Sequence, residues 1–217
     1  MEEYLNKIIC GDCLEVMKKL PDKCVDLVLT DPPYGIDYDL QQNKQSDSGR
    51  ISNGGRWKKY DYTAWDKKPP SQAYFDEMFR VSKNQIIWGG NYFNLPQSSR
   101  WLIWNKIQRG FMTDGEMAWT SFDGAIKIFD YSRADAYINS KEGKFHPTQK
   151  PLALIKWCIE QARYDDLPLT ILDPFLGSGT TAVACKQLNR NFIGIEISRD
   201  YCDIAEKRLA NIQQTLI

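Results

Sequence analysis

This sequence holds one histidine, His146, has no net charge, and contains no apolar run long enough to cross a bilayer. A membrane-spanning helix needs about 20 consecutive apolar residues, so that class is excluded. The acidic start, Met1-Glu2-Glu3-Tyr4, does not read as a signal peptide, which makes a cytoplasmic protein with no membrane partner the expectation. Six cysteines are present, but only Cys10 and Cys13 form a close pair. A structural zinc site wants a second Cys/His pair, and a lone histidine cannot supply it, so no metal is expected. The same pair could be a thioredoxin-type redox site; Cys158, Cys185 and Cys202 fall within amphipathic patterns and read as buried apolar groups. The 28 basic and 28 acidic residues cancel. A global basic excess, common in nucleic-acid binders, is therefore missing. No internal repeat is visible, which argues against a solenoid.

What is present is alternation. A chain of 217 residues suits one α/β domain with a full core. Short apolar runs at Lys7–Cys10, Asp26–Thr30, Gln85–Trp88, Trp101–Trp104, Ala125–Phe129, Leu169–Leu172 and Phe192–Glu196 predict seven strands. Helical periodicity predicts helices over Glu15–Leu20, Gln72–Val81, Leu152–Ala162, Thr180–Leu188 and Tyr201–Ile212. Strands alternating with helices, and apolar on both faces, imply a doubly wound, mostly parallel sheet covered on both sides. Gln41 to Gly55 is rich in Gln, Ser, Asn and Gly and reads as a surface loop over the site or, alternatively, as a tolerated insertion. Charge is segregated in the same region. From Lys44 to Lys68 there are seven basic against three acidic residues, with Trp57, Tyr60, Tyr62 and Trp65 interleaved.

Two strand ends carry chemistry. The run Val25 to Thr30 stops at Asp31-Pro32-Pro33-Tyr34, where two prolines force an extended exit loop. A carboxylate and the Pro32 carbonyl could accept both hydrogens of an exocyclic amine, with Tyr34 stacked on the ring; the bland reading is a Pro-rich turn with Asp31 as a cap. At the far end, Leu169–Leu172 leads into Asp173-Pro174-Phe175-Leu176-Gly177-Ser178-Gly179-Thr180-Thr181-Ala182 and then a helix. Glycines there let a ligand approach the backbone, and Glu196, ending the next strand, is placed for ribose hydroxyls. Taken alone this fits NAD, or merely a capped βα turn. It does not fit a P-loop, because no Gly-Lys-Ser/Thr follows and Gly143-Lys144 runs into Phe145. Acidic groups beside the loop disfavour a pyrophosphate and suit a ligand with an ammonium and a ribose.

Three motifs in order, Asp31-Pro32-Pro33-Tyr34, His146-Pro147-Thr148-Gln149-Lys150-Pro151 and Asp173-Pro174-Phe175-x-Gly177-x-Gly179-Thr180-Thr181, resemble the DNA amino-methyltransferases of the permuted (beta) class, which act on adenine N6 or cytosine N4. Gln85 to Phe93 and Trp101 to Lys106 resemble a compact, phage-type branch. The resemblance spans nearly the whole chain. It implies a Rossmann-like methyltransferase fold of seven mostly parallel strands, one antiparallel, in circularly permuted motif order, as a single domain over residues 1–217. It implies S-adenosylmethionine as cofactor and double-stranded DNA as partner. Asp31, Pro32, Pro33 and Tyr34 would grip the flipped base. Asp12 would contact the cofactor's adenine and Glu196 its ribose, with Asp173 near its amino group. Phe175, Gly177, Ser178, Gly179 and Thr180 would shape the methionine pocket, and Thr148 and Lys150 would lie near the carboxylate. His146 reads as a packing or hydrogen-bonding residue of its loop. The turn around Asp12 then accounts for the cysteine pair as incidental.

An exocyclic amine is a poor nucleophile because its lone pair is delocalised into the ring. Hydrogen bonds to Asp31 and Pro32 would favour a tetrahedral nitrogen and direct in-line attack. Methylation at cytosine C5 would need a thiol nucleophile, typically after a proline, and no cysteine here follows one. A base must leave the duplex to reach such a loop. Arg50, Arg56, Lys58 and Lys59 are the candidate DNA contacts, and loops near 35–70 and 107–145 the candidate readers of sequence. The resemblance implies adenine N6 rather than cytosine N4, since an aspartate at the first motif position is more typical of the family's adenine enzymes and a serine of its cytosine enzymes. A homodimer and a cognate restriction endonuclease are further partners compatible with the resemblance. A nicotinamide oxidoreductase leaves two motifs without roles, and a non-catalytic nucleic-acid-binding module leaves both ligand loops without one.

Overall fold

The predicted apolar runs become the strands of one sheet in a computed structural model that describes residues 1–36, 66–107, 113–132, 135, 149–162 and 169–212. In chain order the strands are β1 (Lys7–Cys10), β2 (Val25–Thr30), β3 (Ser82–Trp88), β4 (Trp101–Asn105), β5 (Gly115–Thr120), β6 (Lys127–Asp130), β7 (Thr170–Asp173) and β8 (Asn191–Glu196). The helices are α1 (Cys13–Met17), α2 (Gln72–Val81), α3 (Leu152–Gln161), α4 (Thr180–Gln187) and α5 (Arg199–Ala210). The expected seven strands are all present, and the count is corrected to eight among the described residues. β5 is the addition. Its sequence, Gly-Glu-Met-Ala-Trp-Thr, begins with a strand-weakening glycine and contains no alternation, so local preference does not announce it. It becomes a strand by antiparallel pairing with β3 on one side and β4 on the other.

The sheet order is β1-β8-β7-β2-β3-β5-β4-β6, and β5 alone runs against the rest. The two faces are covered separately, as alternation within a strand requires. Ile86 and Trp88 face the cluster that packs on α3, α4 and α5, while Ile87 faces the cluster formed with α1 and α2. Leu27, Leu29, Ile86 and Ile87 have no exposed surface, each contributing about 1.5–3 kcal/mol. Helix α1, with five residues, is too short to persist alone and is held at both ends. Asp12 accepts from the Leu14 amide at 2.7 Å, and Arg80 of α2 donates to the carbonyls of Met17 and Leu20 at 2.8 and 2.9 Å. Cys158, Cys185 and Cys202 are buried, as expected of small apolar groups. No described helix is long and apolar enough to cross a membrane.

Connectivity sets where a ligand can bind. From β2 the chain passes through α2 to β3 on one side, and from β7 through α4 to β8 on the other. β2 and β7 are adjacent and parallel, with Leu27 beside Ile171 and Val28 beside Leu172. The chain therefore diverges at their carboxyl ends, and open α/β sheets bind ligands in the crevice this creates. The motifs beginning at Asp31 and Asp173 leave the sheet at that crevice.

Candidate active site

A cleft of about 650 Å³ opens at the divergence point. Its walls include Asp12, Asp31, Pro33, Lys150, Asp173, Phe175, Gly177, Ser178, Thr180 and Glu196, so ten of the expected site residues share one cavity. Pro32 is buried, Tyr34 sits behind Asp31, and Gly179 packs its backbone on α5. Thr148, Arg50, Arg56, Lys58 and Lys59 lie outside the described residues, as do His146 and Gln41 to Gly55. The feet of that loop region meet: the Gly35 amide donates to buried Asp66 at 2.8 Å.

The two strand-end loops are tied together. Thr30 Oγ1 donates to Asp173 Oδ1 at 2.8 Å, and the Phe175 amide donates to the same oxygen at 3.1 Å. Burial pushes the Asp173 carboxyl up to about 6, with the Thr181 and Thr30 hydroxyls pulling the other way. Glu196 organises the glycine loop. Its Oε2 accepts from the Gly177 amide and its Oε1 from Ser198, both at 2.8 Å. Burial raises its carboxyl as well. Gly179 ends the loop at φ +86°, and an added Cβ would stand 2.6 Å from that of Ala205. Arg208, also on α5 and 5% exposed, donates to the Ser178 carbonyl at 2.6 Å and reaches Thr180 Oγ1 at 3.3 Å. On the opposite wall Tyr74 donates to Asp12 Oδ2 at 3.2 Å and tilts against Phe175.

Asp31 heads an ionic chain whose lysines are buried and whose carboxylates are half-buried. Tyr34 donates its hydroxyl to Asp31 Oδ1 at 2.5 Å, and Lys150 Nζ binds Oδ2 at 2.5 Å. Lys150 Nζ also stands 3.0 Å from Glu116 Oε2, and Glu116 Oε1 pairs closely with Lys106. Burial raises the Asp31 carboxyl, with Lys150 opposing it, while Lys150 and Lys106 together hold Glu116 down at about 2. Lys150 lies over the Tyr34 and Trp88 rings, 5.8 and 5.5 Å from their centroids. No hydrogen bond among the described residues reaches the Pro32 carbonyl. The Tyr34 ring stacks on Tyr92 with centroids 4.9 Å apart and planes 10° from parallel. Gly89, at φ +67°, makes room for that ring, since a Cβ there would lie 2.1 Å from Tyr34 Cε1.

Sequence reasoning missed Glu116, Lys106, Tyr74 and Trp88. Glu116 had no signal, because the strand carrying it had none. Cys13 is buried, and burial drives its thiol up to about 12, which is the opposite of a reactive redox cysteine. Cys13 thus packs beside Asp12 as a buried thiol, while Cys10 is exposed.

The cleft's donor set suits a nucleoside with an ammonium better than a dinucleotide. Its described walls carry four carboxylates, Asp12, Asp31, Asp173 and Glu196, against Lys68 and Lys150. Nothing lies within 4 Å of where a Gly177 Cβ would be, so the loop backbone is open to a close ligand.

Comparison with known proteins agrees with this geometry. Among curated proteins, the type II methyltransferase M.HinfI of Haemophilus influenzae is 28% identical across 98% of this chain and 70% of its own length. Among solved structures, the complex of M1.HpyAVI with SAM superposes with a TM-score of 0.57 at 24% identity, covering 95% of this chain and 99% of that one. The PvuII DNA methyltransferase, described as cytosine-N4-specific, gives a TM-score of 0.60 at 16% identity, covering 97% and 87%. These structural likenesses establish the Rossmann-like methyltransferase fold. The model of the N6/N4 DNA methylase family matches residues 87–207, more than half of the chain, and the protein belongs to that family.

Proposed function

We propose that this chain methylates the exocyclic N6 amino group of an adenine flipped out of double-stranded DNA, with S-adenosylmethionine as methyl donor. One observation carries the reading: an acceptor, Asp31, lines the same cleft as the Glu196 and Asp173 ligand loop, and the next residue, Pro32, has a carbonyl with no partner among the described residues. Two acceptors side by side match the two hydrogens of a primary aromatic amine. When bound, S-adenosylmethionine supplies an electrophilic methyl on a sulfonium and takes up the electron pair of the broken S–C bond. Glu196 would hold the ribose hydroxyls, Phe175 and Gly177 the methionine portion, and Asp173 the ammonium. Asp12 would take the adenine end.

Asp31 and the Pro32 carbonyl draw on the amine's two hydrogens, which shifts the nitrogen lone pair out of the ring and toward the incoming methyl. The nitrogen forms the new N–C bond and becomes cationic. It returns to neutrality by giving one proton to Asp31, whose carboxyl is raised by burial and can accept it. Pro33 walls the entrance, and Tyr34, braced by Tyr92, fixes the orientation of the Asp31 carboxylate. Lys150 is the counterion that keeps Asp31 ionised in the absence of a base. Arg50, Arg56, Lys58 and Lys59 would neutralise phosphates around the flipped nucleotide.

Labelled S-adenosylmethionine and unmethylated mixed-sequence duplex DNA, followed by digestion to nucleosides, test the reading. Label is expected in N6-methyladenosine and is lost in Asp31→Ala while cofactor affinity is kept. Label in N4-methylcytosine instead would support the second reading, which the fold likeness to a cytosine-N4 enzyme motivates. Full transfer by Asp31→Ala would remove Asp31 from its role.

A further inference from the structure

Both oxygens of Asp31 already hold a donor. Tyr34 occupies Oδ1 and Lys150 occupies Oδ2, so a base amine entering the cleft shares the carboxylate's remaining lone pairs with a phenol and an ammonium. The amine is gripped best when one of these donors eases its hold. Tyr34 is confined by Gly89 beneath its ring and Tyr92 stacked on it. Lys150 is different. A second carboxylate already shares it: Nζ is ion-paired with Glu116 Oε2 at 3.0 Å, longer than its 2.5 Å contact with Asp31 and without hydrogen-bond alignment. A small shift of the ammonium toward Glu116 would give the buried Oε2 an aligned, charge-assisted hydrogen bond.

We propose that Glu116 is a positioning residue that serves as the alternate seat of Lys150: when the target amine takes Asp31 Oδ2, the Lys150 ammonium moves onto Glu116 Oε2. The inference rests on the reading of Asp31 as the amine acceptor.

The move is cheap because it stays within one ionic chain. Two lysines and two carboxylates, Lys106, Glu116, Lys150 and Asp31, balance in charge before and after it. A cation driven off Asp31 with no second carboxylate would be stranded, since Lys150 is 8% exposed. Lys106, 2% exposed and bonded to Thr113 at 3.2 Å, fixes Glu116 Oε1 and so leaves Oε2 as the oxygen that can receive Lys150. The shift also changes Asp31. With its counterion withdrawn, the carboxylate becomes a stronger acceptor for the amine hydrogen and a better base for the proton released after transfer. Glu116 thereby acts on the reacting nitrogen through Lys150 and Asp31 without touching substrate. β5 brings it there: the antiparallel pairing of Trp104 with Glu116 sets it at the sheet's carboxyl edge.

The test is Glu116→Gln, which keeps the shape and removes the charge, assayed in single turnover with unmethylated duplex DNA at saturating S-adenosylmethionine. The rate constant is expected to fall on the order of tenfold while the cofactor Kd stays unchanged, the split that separates a loss at the base from a loss at the cofactor. Glu116 also neutralises Lys106, so Lys106→Met/Glu116→Gln is measured beside it, with folding checked by thermal unfolding. A rate that stays low in the folded double variant supports the alternate seat. Recovery of the rate would show that Glu116 only balances Lys106, and a wild-type rate in Glu116→Gln would equally overturn the inference. Undiminished transfer by Asp31→Asn would instead overturn the reading beneath it, whatever Glu116 does.

Discussion

Replacing Asp173 with asparagine should make the protein more stable at neutral pH, by an amount that depends on pH in a defined way. The Asp173 carboxyl is 5% exposed and titrates at about 6, against 3.8 for an ordinary aspartate. Burial is the main cause. At 1.36 kcal/mol per pH unit, this displacement amounts to roughly 3 kcal/mol. The sign follows from proton counting: between about pH 4 and 6 the folded protein binds more protons at this site than the unfolded chain, so stability falls as pH rises through that window. Above about pH 6 the full cost of the buried charge is present, and below about pH 4 it is gone. An asparagine keeps an oxygen to accept from Thr30 and the Phe175 amide, while its new N–H group faces the Thr181 hydroxyl in place of an acceptor-only oxygen. Urea unfolding of both proteins at intervals from pH 4.5 to 7.5 measures the difference directly, with titrations at other sites cancelling in the subtraction. The variant's advantage should grow with pH and level off near pH 7 at about 2–3 kcal/mol. Parallel profiles would refute the assignment of a costly buried charge to Asp173. Such a charge is tolerable if a ligand ammonium offsets it, so the stabilised variant should also bind S-adenosylmethionine more weakly at pH 7.5. Wild-type affinity should decline below pH 6, as protonation removes the partner.

Two further substitutions probe how the loops are held. Gly89→Ala places a methyl on the Tyr34 ring at a left-handed backbone position; a loss of at least about 2 kcal/mol in denaturant unfolding is expected, with impaired methyl transfer. Unchanged stability and transfer would show that Tyr34 adapts freely. Arg208→Met removes the cation that braces the glycine loop from behind, at a cost of about 1.5–3 kcal/mol, or a Tm lower by several degrees, together with weaker cofactor binding. A lower Tm with unaltered cofactor affinity would confine Arg208 to a structural part.

Long-range consequences of local patterns were readable before any coordinates. Continuous apolar runs such as Val25 to Thr30 and Leu169 to Leu172 must be buried on both faces, and their alternation with helices leaves little besides a parallel, doubly wound sheet. Proline and glycine announce themselves as well, because each restricts or frees the backbone wherever it stands. Hence Asp31-Pro32-Pro33-Tyr34 and Asp173 to Thr181 could be placed at strand ends and linked to chemistry. The convergence of these two motifs was implied but not located.

Tertiary structure alone decided the electrostatics. Gly115 to Thr120 becomes a strand only because β3 and β4 leave a slot that its backbone fills, so nothing local marks Glu116 as lying beside Lys150, 34 positions away in sequence. Lys150 reads in the sequence, through the resemblance, as a cation near the cofactor carboxylate, yet the fold sets its ammonium against Asp31 and Glu116, and burial makes carboxylate partners obligatory. Hydrophobic periodicity is a property of neighbours along the chain and survives in the sequence. Pairing of buried charges depends on which strands lie side by side, and that is settled only when the sheet closes.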